Sequence, residues 1–319
     1  MHVSKSRVAV VGSFNVDHVW RVASLPQAGA TLGGEYACGP GGKGFNQAVA
    51  ARRAGAEASF VCAMGDDLGA QLARSLCEAD GIDLRDARCD APTGTAGIYV
   101  DGAGRNSIVI GAGANALLDP DFVSATLASL QGISVVLVQL ESPLDSIARA
   151  LEHGRKIGAI NILNTAPANA TISGAMLELA DILTPNETEF VALLGRHVGE
   201  RIEADSVSGI DQQRLHALCR QLGHDSSVVL TLGASGCFVS HPDGNLRGDD
   251  AAYYRIGAEP ARAVDTTGAG DAFNGSLAAS LALRPQRAFA EHVRFATRYA
   301  GLSTETEGAA VAMPVLLVD

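Results

Sequence analysis

No two cysteines of this chain are spaced to share a metal. Cys38, Cys62, Cys77, Cys89, Cys219 and Cys237 are scattered through 319 residues without a C-x-x-C, and the eight histidines form no H-x-H or H-x-x-x-H pattern. A structural zinc site and a disulfide scaffold are therefore disfavoured, and buried, reduced thiols are expected. Long apolar runs are missing too. The longest stretch, Ile133 to Leu140, is far too short to span a bilayer. After Lys5 and Arg7 the apolar run is only Val8 to Val11, short of a secretory h-region. Positive charge is in deficit, with a formal net charge of -11. That argues against non-specific nucleic-acid binding and against an anionic membrane surface. It leaves a nucleotide ligand open, because a phosphate pocket needs only local backbone donors and a few cations. No internal repeat or low-complexity linker is present. The expectation is a cytoplasmic protein with neither a nucleic-acid nor a membrane partner.

What is present is a regular alternation. With 47% hydrophobic residues the chain can bury a large core. Short apolar runs at Val8–Val11, Ala58–Cys62, Val135–Leu140, Ile160–Leu163, Ile182–Thr184 and Val228–Leu232 read as buried strands. Between and after them, Phe45–Ala54, Leu68–Ala79, Pro120–Leu130, Leu144–Lys156, Leu215–Leu222 and Ala272–Leu283 read as helices, with Gly55, Gly81 and Gly158 as C-terminal caps. This predicts an α/β fold with a mainly parallel sheet and helices on both faces. Two stretches break the alternation. Asp17–Val22 with Thr31–Cys38, and Thr95–Val100 with Asn106–Ile110, read as hairpin strands, the second pair carrying the turn signal Asp101–Gly102. They predict a small sheet, from about 15–40 and 94–111, acting as a lid over the strand ends where ligands of such sheets bind. Arg196–Asp211 reads as a loose surface connection.

The most informative segment is Asp265–Thr266–Thr267–Gly268–Ala269–Gly270–Asp271, which runs directly into an apolar helical pattern. The amides of Gly268, Ala269 and Gly270 lie at a predicted helix N-terminus, where N–H groups lack partners and the dipole favours an anion. With Asp271 at the mouth of that turn, the segment suggests an anion hole for a transferring phosphoryl group with a base beside it; a capped glycine loop is the plainer alternative. A second cluster, Gly39–Pro40–Gly41–Gly42–Lys43–Gly44–Phe45–Asn46, is no Walker A loop, since Ala37 and Gly44 stand where Gly and Ser/Thr are needed. The strand–helix turns are read as lacking G-x-G-x-x-G, so a dinucleotide oxidoreductase loses its main support. Asn15, Asp17 and Glu141 follow predicted strands and would suit a polyol, since carboxylates accept from paired hydroxyls. Asn186 and Glu189, three apart on a helix turn, fit either an outer-shell magnesium site or a capping box. Thr231 to Gly236 is either a plain turn or a nucleotide floor.

Together these residues resemble the ribokinase-like (PfkB) family of sugar and nucleoside kinases, from Val8 to about Pro314. The two signature regions are GPGGKGFNQAVAARRAGA near residue 39 and DTTGAGDAFNGSLAASL at 265; GSFNVDH at 12, IGAGANALL at 110, QLESPL at 139 and TPNETE at 184 add to them. The resemblance implies a single three-layer α/β/α kinase domain over 1–319 with a β-sheet lid, and transfer of phosphate from ATP to the 5-hydroxyl of D-ribose. It implies Asp271 as the base and the Gly268, Ala269 and Gly270 amides as the anion hole. Sugar contacts fall on Asn15, Asp17, Gly42, Lys43, Asn46, Glu141 and Asp271. Nucleotide contacts fall on Asn186, Thr231, Gly233, Ala234, Ser235, Gly236, Gly270 and Thr297. Glu189 falls in the magnesium region and Asp265, Thr267, Ser303, Thr306 and Gly308 in a potassium site. A homodimer joined through the lid is also implied. Fructose and nucleosides are the alternative substrates, and a catalytically silent sugar-binding regulator is the alternative of another class. The chain departs from the pattern at Phe45, where a small residue is usual beside the sugar contacts and where an aromatic ring would change the pocket or wall a nucleobase slot. Thr165 replaces the first proline of N-P-A-P, Ala312 stands where a hydroxyl often completes the potassium site, and the usual last helix does not follow Pro314.

Overall fold

The structure, a computed structural model, describes residues 6–318; Met1–Lys5 and Asp319, which the single-domain expectation includes, lie outside the described residues. The chain begins β1 (Arg7–Val11), β2 (Asn15–Val22), β3 (Gly34–Gly41), α1 (Lys43–Arg53), β4 (Glu57–Met64), α2 (Leu68–Asp80), β5 (Asp83–Arg88), β6 (Gly94–Asp101) and β7 (Asn106–Gly111). It continues α3 (Pro120–Ser129), β8 (Ile133–Val138), α4 (Leu144–Ile157), β9 (Ile160–Leu163), α5 (Gly174–Glu178), β10 (Ile182–Leu183) and α6 (Glu187–His197). It ends α7 (Gln212–Leu222), β11 (Ser227–Thr231), β12 (Cys237–Ser240), β13 (Tyr253–Ile256), α8 (Ala269–Leu283) and α9 (Phe289–Ser303).

The main sheet has the order β13-β12-β11-β10-β9-β8-β1-β4-β5. All its pairings are parallel except those of β12 with β11 and β13. Burial on both faces explains why its central strands read as continuous apolar runs. Alternate residues of β1 serve opposite faces. Val8 and Val10 join the core under α1, α2, α8 and α9, whereas Ala9 and Val11 join the core under α3, α4, α6 and α7. Strand order reverses at β1, with β4 on one side and β8 on the other, so the crevice beyond its carboxyl end is the expected ligand position.

The second sheet, β3-β2-β6-β7, grows from the same place, because only Gly12 to Phe14 separate β1 from β2. β2 pairs antiparallel with β3 and parallel with β6. Trp20 stacks on Tyr99 at 5.3 Å and lies 5.2 Å from Tyr36, while β7 is exposed along its whole length.

Several expectations shift. β8 starts at Ile133 and stops at Val138, so Gln139 to Glu141 lie beyond its end. β3 starts later than Thr31 and runs to Gly41, into the glycine cluster. The short antiparallel strands β12 and β13 follow the strand expected at Val228–Leu232. Helix α9 and strand β5 carried no clear punctuation and went unread. Gly81 and Gly158 take the left-handed conformation that caps α2 and α4, but α1 is capped by Ala54 with Gly55 just beyond. Arg196–Asp211 is less loose than expected, with Val207 fully buried in a short 3-10 turn. Of the cysteines, Cys38 on β3 is exposed and Cys89 half-buried rather than core. Among the described residues no helix is long and apolar enough to cross a membrane, and no three His, Cys, Asp or Glu side chains are grouped to hold a metal ion.

Helices α1 and α8 approach closely through small residues. A Cβ on Gly275 would lie 2.4 Å from the Gln47 carbonyl oxygen and 2.6 Å from Ala50 Cβ. Gly275→Ala must therefore push α8 off α1, and we expect a loss of about 1–3 kcal/mol in stability. Urea unfolding checks this, and an unchanged midpoint contradicts it.

Candidate active site

Gly268 opens α8 with φ 76°, a left-handed turn that a side chain would oppose, and a Cβ there would also meet Ala309 Cβ at 2.8 Å. Asp271 lies in the first turn of α8 and is buried. Asn46 Nδ2 donates to its Oδ2 and Gln47 Nε2 to its Oδ1, each at 2.9 Å. Burial raises the Asp271 pKa above the usual carboxylate range; Lys43 and the two amide donors oppose the rise, and Glu141 adds to it. Of the three amides expected in the anion hole, that of Ala269 donates to the Thr266 carbonyl at 3.2 Å.

The sugar-contact candidates gather at the carboxyl end of β1. Asn15 and Asp17 are the first and third residues of β2, not loop residues. Asn15 Oδ1 accepts from Asn115 Nδ2 at 2.9 Å. Glu141 Oε2 accepts from Ser13 Oγ at 2.6 Å and from the Lys43 amide at 3.0 Å. Gly42, at φ 89°, passes so near Phe14 and Asn15 that a Cβ would lie 2.8 Å from their backbone. The Asp17 carboxyl is raised to about 7, by burial first and then by Glu141 and Asp271. Burial pulls the Lys43 ammonium down, but Asp271, Glu141 and Glu189 together hold it above its ordinary value. Asn46 Oδ1 is buried without a hydrogen-bond partner, an acceptor left over for a ligand hydroxyl.

Phe45 does not reach this site. It is buried in the core, edge-on to Phe14 at 5.2 Å and tilted on Phe60 at 6.0 Å. The expectation that it reshapes the pocket or walls a base slot is therefore corrected: one residue earlier than Asn46 on a helix lies on a different face. The string Gly39 to Gly44 does spell G-x-G-x-x-G. It leaves the antiparallel strand β3 of the small sheet rather than a buried parallel strand, so the dinucleotide context is missing.

Two cavities meet at the α8 turn. A smaller one of about 170 Å³ is lined by Lys43, Asn164, Glu189, Gly268, Ala269, Gly270 and Asp271, among others. A larger one of about 610 Å³ is lined by Asn186, Thr231, Gly233, Ala234, Gly236, Gly270 and Thr297, with Ala258 to Ala261 on one wall. They share Asn186, Thr231, Thr266, Ala269 and Gly270. Of the nucleotide candidates, Ser235 does not line the larger cavity. Asn186 and Glu189 form a complete capping box on α6, in which Glu189 Oε2 accepts from the Asn186 amide at 3.0 Å and Oε1 from its Nδ2 at 2.9 Å. Thr165 Oγ1 donates to Glu189 at 3.4 Å, so the departure from N-P-A-P adds a donor here.

Asp265 ties down the turn before α8. Its Oδ1 accepts from Thr267 N and Oγ1 at 2.9 and 2.6 Å, and its Oδ2 accepts from the Gly308 amide at 3.0 Å. Ser303 Oγ donates to the Ala300 carbonyl at 2.8 Å, and Thr306 is exposed. Of the five potassium candidates, Asp265, Thr267 and Gly308 are thus joined to one another, and Ser303 is turned to its own helix.

Ser13, Gln47, Asn115, Gln139 and Asn274 were not singled out from the sequence. All are buried polar residues bonded to candidate residues or their neighbours. A polar residue next to a candidate on an otherwise apolar helix, as Gln47 is, was the available signal.

A family model described as pfkB family carbohydrate kinase matches residues 5–316. The chain is 35% identical over 316 residues to a ribokinase of Haemophilus influenzae, covering 97% of this chain and 96% of that one. It is 36% identical over 311 residues to a ribokinase of Mus musculus, covering 96% and 91%. A solved Arabidopsis thaliana ribokinase, complexed with ribose and ATP, superposes with a TM-score of 0.78 at 28% identity, covering 98% and 96%.

The raised Asp17 carboxyl has a consequence for stability. Between its ordinary 3.8 and about 7 the folded chain holds this proton more tightly than the unfolded one. Stability from this group is therefore lost as pH rises through that window. Asp17→Asn should raise the melting temperature more at about pH 8 than at about pH 5; equal shifts at the two pH values would contradict the burial of this carboxyl.

Proposed function

The chain belongs to the pfkB family of carbohydrate kinases, and from that premise we propose that it transfers the γ-phosphoryl group of ATP to the 5-hydroxyl of D-ribose. One observation carries the proposal. A buried carboxylate, Asp271, stands at the N-terminus of α8 where a small polar cavity opens into a larger one. The similarity to ribokinases supports ribose as the acceptor.

Ribose occupies the end of β1, held by Asn15, Asp17, Gly42, Lys43, Asn46 and Glu141. Asp271 accepts the proton of the sugar hydroxyl. The hydroxyl oxygen forms its bond to the γ-phosphorus as the bond to the bridging oxygen breaks, and ADP leaves with the electron pair. Charge growing on the γ-phosphoryl oxygens faces the α8 N-terminus and the Lys43 ammonium. The adenosine part lies in the larger cavity, against Asn186, Thr231, Gly233, Ala234, Gly236, Gly270 and Thr297. The Ser235 backbone closes the turn below it.

Magnesium supplies neutralisation of the phosphate charge when bound. Both Glu189 oxygens already accept from Asn186, so this residue fits an outer-shell role through water. Potassium belongs to the same proposal, held by oxygens of the Asp265 loop, with Thr267, Ser303, Thr306 and Gly308 around it; Ala312 has no side-chain oxygen to add. Residues 15–40 and 94–111 act as the lid of a single kinase domain, closing to exclude water. The exposed Tyr36, Ile108, Val109 and Ile110 on these strands support a homodimer joined through the lids, in a cytoplasmic enzyme.

Asp271→Asn should lower turnover by about 10²–10⁴-fold while ribose binding stays measurable by calorimetry; wild-type ADP release in that variant contradicts the assignment. Across ribose, deoxyribose, fructose, adenosine, inosine and pseudouridine, ADP release with ATP and magnesium should be fastest with ribose, and faster with potassium than without it. Preference for a nucleoside would overturn the substrate. Light scattering at micromolar concentration should report a dimer, and a clean monomer would contradict the lid contact.

A further inference from the structure

Asp271 is oriented by a side chain that touches neither cavity. Gln47, on α1, is fully buried. Its Nε2 donates to Asp271 Oδ1 at 2.9 Å and to Asn164 Oδ1 at 3.1 Å, while its Oε1 accepts from Gln139 Nε2 at 2.5 Å. Gln139, just past β8, is also fully buried, and its Oε1 has no hydrogen-bond partner. A Cβ on Gly12 would lie 2.0 Å from that oxygen, so Gly12 is what makes room for the Gln139 amide.

The direction of this chain follows from the charge at its end. A carboxylate only accepts, so Gln47 must turn its NH₂ toward Asp271. Its carbonyl then faces Gln139, which must turn its own NH₂ in turn. The remaining Gln139 oxygen is left without a donor. A buried unpaired acceptor is costly, and here it is the consequence of ordering two amides behind one carboxylate. A second branch returns to the same helix. Asn164 Nδ2 donates to the Thr184 carbonyl at 3.0 Å, Thr184 Oγ1 to Asn274 Oδ1 at 2.6 Å, and Asn274 Nδ2 to the Gly270 carbonyl at 2.8 Å. The side chain of Asp271 and the backbone just before it are thereby held by one buried network.

We propose that Gln47, oriented by Gln139, is a positioning residue for phosphoryl transfer, fixing the direction in which the Asp271 carboxylate faces the acceptor hydroxyl. The proposal rests on Asp271 being the base. Without the Gln47 donor the carboxylate is held by Asn46 alone and can turn about its last torsion. It also loses a donor that favours its ionised form. The charged groups facing it are Lys43 from α1, Glu141 beyond β8, Asp17 on β2 and Glu189 on α6, and all of them remain in the variants below.

The test is steady-state kinetics of the full-length protein with ribose and ATP across pH, with thermal unfolding to confirm that each variant folds. Gln47→Leu should lower kcat by about 10- to 100-fold, as misplacement of a reacting group does, with KM for both substrates unchanged. Its acidic limb of kcat should move to higher pH. Gln139→Leu leaves both Gln47 donors in place and should shift the same quantities by less. Gln47→Glu keeps the shape but sets a second carboxylate against Asp271, so the two share a proton and the acidic limb should move furthest. If Gln47→Leu does not fold, the other two variants carry the test. An unchanged kcat and pH profile, or a rise in KM alone, would overturn the positioning role. Wild-type turnover in Asp271→Asn would instead remove the base, and the proposal with it.

Discussion

The close contact of α1 with α8 is the constraint on which the site depends. Two helices from opposite ends of the sequence touch through Ala50, Ala51 and Gly275, and the approach is set by the absence of side-chain bulk. Only at that separation can Asn46 and Gln47, at the start of α1, reach the first turn of α8 and place one amide on each oxygen of Asp271. The same contact brings Lys43 into the cavity formed by the Gly268 turn. Both glycine clusters of the chain therefore meet at one place. One supplies the N-terminus of α8, and the other lets β3 of the small sheet turn into α1 beside β1.

Charge is arranged locally at this place in a protein that is acidic overall. Asp271, Glu141 and Glu189 act on the Lys43 ammonium, and Asp17 lies against Glu141 and Asp271. Three of these carboxylates are answered locally: Glu141 by Ser13 and the Lys43 amide, Glu189 by its capping partner, and Asp271 by two side-chain amides. The Asp17 carboxyl is raised by its burial first and then by the neighbouring Glu141 and Asp271. Asp271 and Glu189 line the cavity at the Gly268 turn together with Lys43, whereas Asp17 and Glu141 do not line it. Net charge, read over the whole chain, hides this local division.

Much of this was legible in the sequence because backbone requirements leave marks. The turn before Asp271 needs a left-handed residue, and Gly268 is one. Polar residues follow β1, β8, β9 and β10 closely or end β11, and the structure brings three of them, Asn164, Thr184 and Thr231, into the lining of one cavity. Side-chain direction was less legible. Phe45 and Asn46 are neighbours, but one turns into the core and the other toward Asp271, a distinction that spacing alone does not make. Gln47 and Gln139 look like ordinary polar residues because their partners lie on elements 92 residues apart. The edge strands β5 and β13 were missed because half-buried edges have no continuous apolar run, and α9 because its helical face follows a loop rather than a cap.

The central claim is that Asp271 and the α8 turn direct the γ-phosphoryl group to one particular oxygen of ribose. Carbon NMR of ribose labelled at C5, incubated with the protein, ATP and magnesium, reads that oxygen directly. The account predicts a new C5 resonance split by phosphorus as ATP is consumed. Consumption of ATP with the C5 signal unchanged, or shifted without phosphorus splitting, would contradict it.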